Sequence, residues 1–146
     1  YIFSMGASLG ISHGINKATG SKQKIISPIG DGTFFHSGIP GLINTVYNKS
    51  NPLIIVLDNR ITAMTGHQIN PGMGKTGMGD DTTELKIEEI ARACGVKHIK
   101  VLDPINIKEL EDTIKEFLTK EEVSLIVCRR ICALLVKRQN AQQHDQ

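Results

Sequence analysis

Cys94, Cys128 and Cys132 are the only cysteines in 146 residues, and no two of them form a Cys-x-x-Cys pair. An odd, unpaired set excludes a disulfide framework and a cysteine-built zinc site. It fits a reducing compartment, so a cytoplasmic location is expected. Charge of either sign is in near balance: 17 Lys and Arg against 15 Asp and Glu leave a formal +2, too little to argue for a nucleic-acid partner. No apolar run approaches the roughly 18 residues of a membrane span, and no signal peptide is visible. Tryptophan is absent, and the hydrophobic share of 40% is ordinary. What remains is one domain with a core of its own. The chain opens directly on Tyr1-Ile2-Phe3 and reads as a piece of a larger polypeptide.

What the sequence does contain is alternation of strand-like and helix-like segments. Residues 24–29, 53–57, 96–102 and 123–128 read as strands. Pro28 would cost the first of them a ladder hydrogen bond. Leu53-Ile54-Ile55-Val56-Leu57 is a continuous apolar run, as a parallel strand covered on both faces requires. A first helix carries Ala7, Ile11, Ile15 and Ala18 at helical spacing beside Gly6, Gly10 and Gly14, four apart. That stripe allows close approach of another backbone or of a ligand, and Ala18-Thr19-Gly20-Ser21 reads as its end. A second helix is expected to begin near Ser37 as N-cap, with Pro40 in its first turn. Its apolar face is Ile39, Leu42, Ile43, Val46 and Tyr47. Ile87, Ile90, Ala91 and Cys94 mark a third helix stopped by Gly95. Asn106 and Glu109 form a capping box for a fourth, with Leu110, Ile114, Phe117 and Leu118. Residues 60–83 hold Gly66, Gly72, Gly74, Gly77 and Gly79, and read as a long functional loop. The expected fold class is α/β, three layers with a mainly parallel sheet. Residues 1–136 would form the domain, and residues 137–146 a polar tail or linker.

Two oxygen-bearing residues stand just past the ends of strand-like runs: Asp31 in Gly30-Asp31-Gly32, and Asn59 in Asp58-Asn59. In parallel neighbouring strands both would reach the sheet edge where open α/β folds bind ligands. Carboxylate and amide oxygens suit Mg²⁺ held together with substrate phosphates. The helix that follows would turn free N–H groups toward an anion there. A metal–diphosphate site is the reading. Gly74-Lys75-Thr76 is not a P-loop, because Ile69 stands where that motif needs glycine and no strand leads into it.

Gly30-Asp31-Gly32, then 26 residues, then Asn59 resembles the signature of thiamine diphosphate enzymes. Gly30 through Leu42, then Leu57-Asp58-Asn59-Arg60, Thr62 through Gln68, Asn70-Pro71-Gly72, Arg129-Arg130 and Cys132 through Leu135 narrow the likeness. They resemble the 2-oxoacid:ferredoxin oxidoreductases, nearest to members that act on aryl pyruvates such as indolepyruvate. The resemblance implies a diphosphate-domain fold with Mg²⁺ on Asp31, Asn59 and the backbone carbonyl of Ile61. It implies cofactor contacts at Met5, Gly6, Ser8, Gly30, Gly32, Thr33 and Met64, and candidate catalytic roles on the substrate side for His36 and His67. It also implies oxidative decarboxylation of a 2-oxo acid, with ferredoxin taking the electrons and coenzyme A the acyl group. The usual second Asn is replaced by the Asp58-Asn59-Arg60 context.

Some parts of such an enzyme have no counterpart here. The glutamate that activates the cofactor's aminopyrimidine comes, in that family, from a separate pyrimidine-binding domain or subunit. Glu84, Glu88 and Glu89 read as solvated or capping residues. Iron–sulfur clusters belong to the complete enzyme and not to this chain. The chain alone is therefore expected to hold half a cofactor site and to associate with partners. Two other functions compete: half of a non-oxidative thiamine diphosphate-dependent decarboxylase or synthase, and a flavodoxin-like or regulatory nucleotide-binding module. Cys94 and Cys128 read as buried small hydrophobes, Cys132 as structural, and Arg129-Arg130 as a solvated pair.

Overall fold

The computed structural model describes residues 4–20 and 23–137; of the expected tail, residues 137–146, all but Lys137 lie outside them, as does Ser21. Four strands, β1 (Ile26–Gly30), β2 (Leu53–Asp58), β3 (His98–Leu102) and β4 (Ser124–Arg129), form one sheet in the order β1-β2-β4-β3. Every pairing is parallel. Among the described residues, α1 (Ala7–Thr19) precedes β1, and α2 (Asp31–Thr33), α3 (Ile39–Tyr47), α4 (Ile87–Ala93) and α5 (Ile107–Leu118) lie between the strands. A π-helical turn, Phe34–Gly38, joins α2 to α3 into one continuous helical run. The expected α/β class is observed.

The alternation of side chains along each strand divides the core in two. Ile29, Ile54, Val56, Leu125 and Val127 face Leu9 of α1, Leu42 of α3 and Ile87 and Ala91 of α4. Leu53, Ile126 and Cys128 face Phe117 of α5. Each buried Leu, Ile or Phe contributes on the order of 2 kcal/mol. Helices on both faces make the three layers. α1, α3 and α4 cover one face, and α5 alone packs against the other. Pro28 lies on the edge strand β1, where a missing N–H is tolerated.

Two local expectations are corrected. The second helix starts at Asp31, directly after β1, and not near Ser37. A straight α-helix would press the Pro40 ring against the carbonyl of residue 36. The wide Phe34–Gly38 turn stands where that clash would fall, so the run passes through the proline. In α1 the buried positions are Leu9 and Ser12. Ile11 and Ile15 are exposed, and a Cβ on Gly10 or Gly14 would meet nothing within 4 Å. Among the described residues, Gly10 and Gly14 pack on nothing, whereas Gly6 sits against Ser37. Half of the capping box is observed: Asn106 Oδ1 accepts from Glu109 N, but the Glu109 carboxylate accepts from Asn106 Nδ2 and not from the Asn106 backbone N–H, which bonds the Asp103 carbonyl.

Candidate functional site

The register pairs Gly30 with Leu57, so β1 and β2 end side by side. Asp31 and Asn59 therefore arrive at the same edge of the sheet. Asp31 is 4% exposed. Its Oδ1 accepts from its neighbour's N–H, Gly32 N, at 2.7 Å. Its Oδ2 accepts from Ile61 N at 3.1 Å and from Asn70 Nδ2 at 3.1 Å. Ile61 N is shared with Asn59 Oδ1, 3.2 Å away. Asp31 and Asn59 are thus joined through one shared donor, the Ile61 N–H. Burial pushes the Asp31 carboxyl above its ordinary range, and the nearby Asp58 pushes the same way; the donors Asn70, Gly32 and Ile61 oppose them.

A second charged group holds the ends of β2 and β4. Asp58 is 3% exposed. Arg129 donates from Nε to Asp58 Oδ2 at 2.6 Å, and from its two terminal nitrogens to Glu88 at 3.1 and 2.7 Å. The bidentate pairing with Glu88, joined by the bond to Asp58, raises the Arg129 pKa. Burial alone would raise Glu88; the Arg129 hydrogen bonds overcome it and hold this carboxyl below its ordinary value. Arg129 is therefore not a solvated residue and Glu88 is not a solvated cap: both are tied to Asp58. Arg130 does face solvent, paired with Asp103. Glu84 pairs with Arg60 at 2.9 Å, joining the two ends of the long loop.

That loop is stitched down. Thr62 and Gln68 exchange backbone hydrogen bonds at 2.9 and 3.1 Å. Asn70 caps the short 3-10 turn Pro71–Met73 by accepting from Gly72 N. Arg60 and His67 both sit at φ 62, the left-handed region that side chains other than glycine rarely adopt. Such strain clusters at functional sites. His67 Nε2 is buried and has no hydrogen-bond partner.

Beside the Asp31–Asn59 pair lies a cavity of about 530 Å³. Met5, Gly30, Asp31, Gly32, Thr33, Asn59, Ile61, Met64 and His67 all line it. A neighbouring cavity of about 370 Å³ holds His36, together with Phe35, Gln68 and Asn70, and shares the wall of Gly32, Thr33 and Thr62. A Cβ on Gly32 would stand 2.3 Å from Thr62 Oγ1, so only glycine lets the loop close over the helical run. Two sequence candidates are placed elsewhere. Gly6 turns at φ 82 against Ser37 and lines neither cavity. Ser8 donates its hydroxyl to the Pro28 carbonyl at 3.0 Å. Asn70 and Thr62 entered from sequence only as parts of the resemblance, and Arg129 as one of a solvated pair, none with a role in the site. The one local signal was Asn70 ahead of Pro71-Gly72, a side chain that caps the turn it precedes.

The donor set fits Mg²⁺ with a diphosphate. It offers a carboxylate, an amide oxygen and a backbone carbonyl, all hard oxygens. Among the described residues, no cluster of three His, Cys, Asp or Glu side chains could hold a metal. A cation here would therefore draw further ligands from phosphate oxygens or water.

The comparisons with known proteins agree with this chemistry. A family model described as "Thiamine pyrophosphate enzyme, C-terminal TPP binding domain" matches residues 1–128. The indolepyruvate oxidoreductase subunit IorA of Methanothermobacter thermautotrophicus is 49% identical over 134 residues, 92% of this chain and 21% of that one. The sulfopyruvate decarboxylase subunit beta of Methanocaldococcus jannaschii is 32% identical over 136 residues, 88% of this chain and 63% of that one. A 2-oxoglutarate:ferredoxin oxidoreductase from Magnetococcus marinus, solved with 2-oxoglutarate, coenzyme A and succinyl-CoA bound, superposes with a TM-score of 0.74. It has 17% identity over 87% of this chain and 45% of that one. The chain spans about a fifth of the length of the indolepyruvate oxidoreductase subunits it matches.

Proposed function

The chain belongs to the thiamine pyrophosphate enzymes, as a C-terminal TPP-binding domain, and from that premise we propose that it grips the Mg²⁺–diphosphate end of the cofactor in an indolepyruvate:ferredoxin oxidoreductase. The observation that carries the reading is that Asp31 and Asn59, sharing the Ile61 N–H, line the 530 Å³ cavity together with Ile61. Asp31, Asn59 and the Ile61 carbonyl would hold Mg²⁺. Thr33 and the N-terminus of the helical run would offset diphosphate charge. Met5 and Met64 give the cavity two adaptable apolar walls for the ring end of the cofactor; Gly6 and Ser8 hold the turn that presents Met5.

When bound, thiamine diphosphate supplies a nucleophilic carbon for the carbonyl of a 2-oxo acid and accepts the electron pair released with CO₂. This chain binds and orients that group and excludes water from its phosphate end. His67, which lines the cofactor cavity, would contact the substrate carboxylate or hold a proton beside it. His36, in the adjoining cavity, would do so from the other side. The remaining parts lie outside this chain: the pyrimidine-binding domain or subunit with its glutamate, the iron–sulfur clusters, and the docking of ferredoxin and coenzyme A. The working enzyme is an oligomer in the cytoplasm. Among the described residues, no helix is long and apolar enough to cross a membrane.

The similarity to a sulfopyruvate decarboxylase subunit favours a second reading, a non-oxidative decarboxylase half. One assay separates the two. The complete enzyme is supplied with an aryl pyruvate, coenzyme A and a one-electron acceptor. Acceptor reduction with acyl-CoA formation supports the oxidoreductase; aldehyde release with no acceptor reduced supports the decarboxylase.

A further inference from the structure

We infer that Asn70 is a positioning residue for Asp31: by tying the long loop to Oδ2 it leaves the other carboxylate oxygen, Oδ1, to meet a cation. The inference rests on the proposed role of Asp31 as a cation ligand, and it follows from an account of lone pairs. A carboxylate has two oxygens with about two acceptor directions each. On Asp31, Oδ2 has both filled, by Ile61 N at 3.1 Å and Asn70 Nδ2 at 3.1 Å. Oδ1 has one filled, by Gly32 N at 2.7 Å. The open direction belongs to Oδ1.

Two of the three donors are backbone N–H groups and persist whatever the side chains are. Asn70 is the one side chain among them. It is 5% exposed. The orientation of its amide is set from the far side, because its own Oδ1 must accept from Gly72 N at 3.0 Å. Gly72 is in turn lodged under Phe35, whose ring carbon would lie 2.9 Å from a Cβ there. The chain of contact therefore runs from the π-helical turn, through Gly72 and Asn70, back to Asp31. Without the Asn70 donor, Oδ2 regains an open direction and the carboxylate can present either oxygen, or both. Mg²⁺ demands near-ideal octahedral geometry and tolerates such freedom poorly. Partners that orient a metal ligand typically carry a 10–100-fold effect on metal affinity.

The test uses the complete protein with thiamine diphosphate and Mn²⁺ as the paramagnetic probe, read by electron paramagnetic resonance well below the melting temperature. Asn70→Ala removes the donor and the cap together. Asn70→Asp keeps an oxygen for Gly72 N but replaces the donor facing Asp31 with an acceptor. Mn²⁺ affinity about 10-fold lower in both variants, with Asn70→Asp still melting close to wild type, supports the positioning role. A loss confined to Asn70→Ala, tracking its melting temperature, would show a merely structural residue and overturn it. Unchanged or tighter Mn²⁺ binding in both variants overturns it as well. Asp31→Ala is the control: loss of Mn²⁺ there with full retention in both Asn70 variants overturns this inference alone. Retention of Mn²⁺ in Asp31→Ala overturns the proposed cation site and this inference with it.

Discussion

The two ends of the parallel sheet carry cavities of similar size and opposite character. At the end where the strands begin, a cavity of about 630 Å³ is lined by Lys17, Lys24, Lys49 and Lys120. Its central charge is fully engaged: Lys24 Nζ donates to the carbonyls of Phe117, Lys120 and Glu122 and to Ser124 Oγ. Those carbonyls belong to the end of α5 and the turn after it, and a cation is favoured at a helix C-terminus. Lys49 is left-handed there, at φ 53, where α3 terminates. At the other end two carboxylates, Asp31 and Asp58, are buried near each other. Arg60 and His67 are strained away from any helix end, and one histidine nitrogen has no partner. The larger cavity is a finished structural joint. The smaller one holds groups whose needs the chain itself leaves open, and that contrast marks it as the binding end better than volume does.

The largest expected effect would sharpen this comparison from the stability side. Arg129→Met strips Asp58 of its buried counter-ion, and removing one partner of such a pair costs about 3–5 kcal/mol. Chemical denaturation should show it; a cost below about 1 kcal/mol would mean that Asp58 is solvated. Lys24→Met tests the opposite end. Loss of charged hydrogen bonds to a helix terminus should cost about 2 kcal/mol, while the affinity of the complete protein for thiamine diphosphate stays at the wild-type value. Weakened cofactor binding in this variant would break the claimed separation of the two ends.

Glu88→Gln should cost about 1.5 kcal/mol near neutral pH. The sign of its pH dependence follows from the Glu88 carboxyl lying below its ordinary value of 4.5. The stabilisation is present above pH 4.5 and is lost as pH falls through the lower folded value. Wild type and variant should therefore converge in acid; a difference that grows on acidification contradicts the assignment. The smallest stability effect is expected at His67. Asn tolerates left-handed backbone, so His67→Asn should change stability by less than about 0.5 kcal/mol while turnover of the complete enzyme falls. Unchanged turnover would remove His67 from the substrate side.

Local chemistry made the strands, the Asn106 cap and the Asp31–Asn59 pair legible in the sequence. Apolar runs bounded by turn residues fix strands, and two strand ends in a parallel sheet meet without further information. What was not legible depends on distant partners. Arg129 meets Asp58 and Glu88 across 71 and 41 positions, and Asn70 meets Asp31 across 39. No periodicity reports such contacts. The helix start was misplaced because Ser37 and Pro40 mimic a cap and first turn, whereas the π-helical turn Phe34–Gly38 carries the helix through that stretch. The glycine stripe of α1 has the spacing of a packed face but the opposite exposure, because Leu9 and Ser12 are the positions that meet the sheet side.

The central claim is that Asp31, with Asn59 and the Ile61 carbonyl, anchors a cation on a diphosphate. Calorimetric titration of the complete protein with thiamine diphosphate and Mg²⁺, wild type against Asp31→Ala, tests it most directly. The account predicts saturable, Mg²⁺-dependent binding by the wild type and its loss in the variant, with the variant still folded. Equal binding by both proteins, or no binding by the wild type, would contradict it.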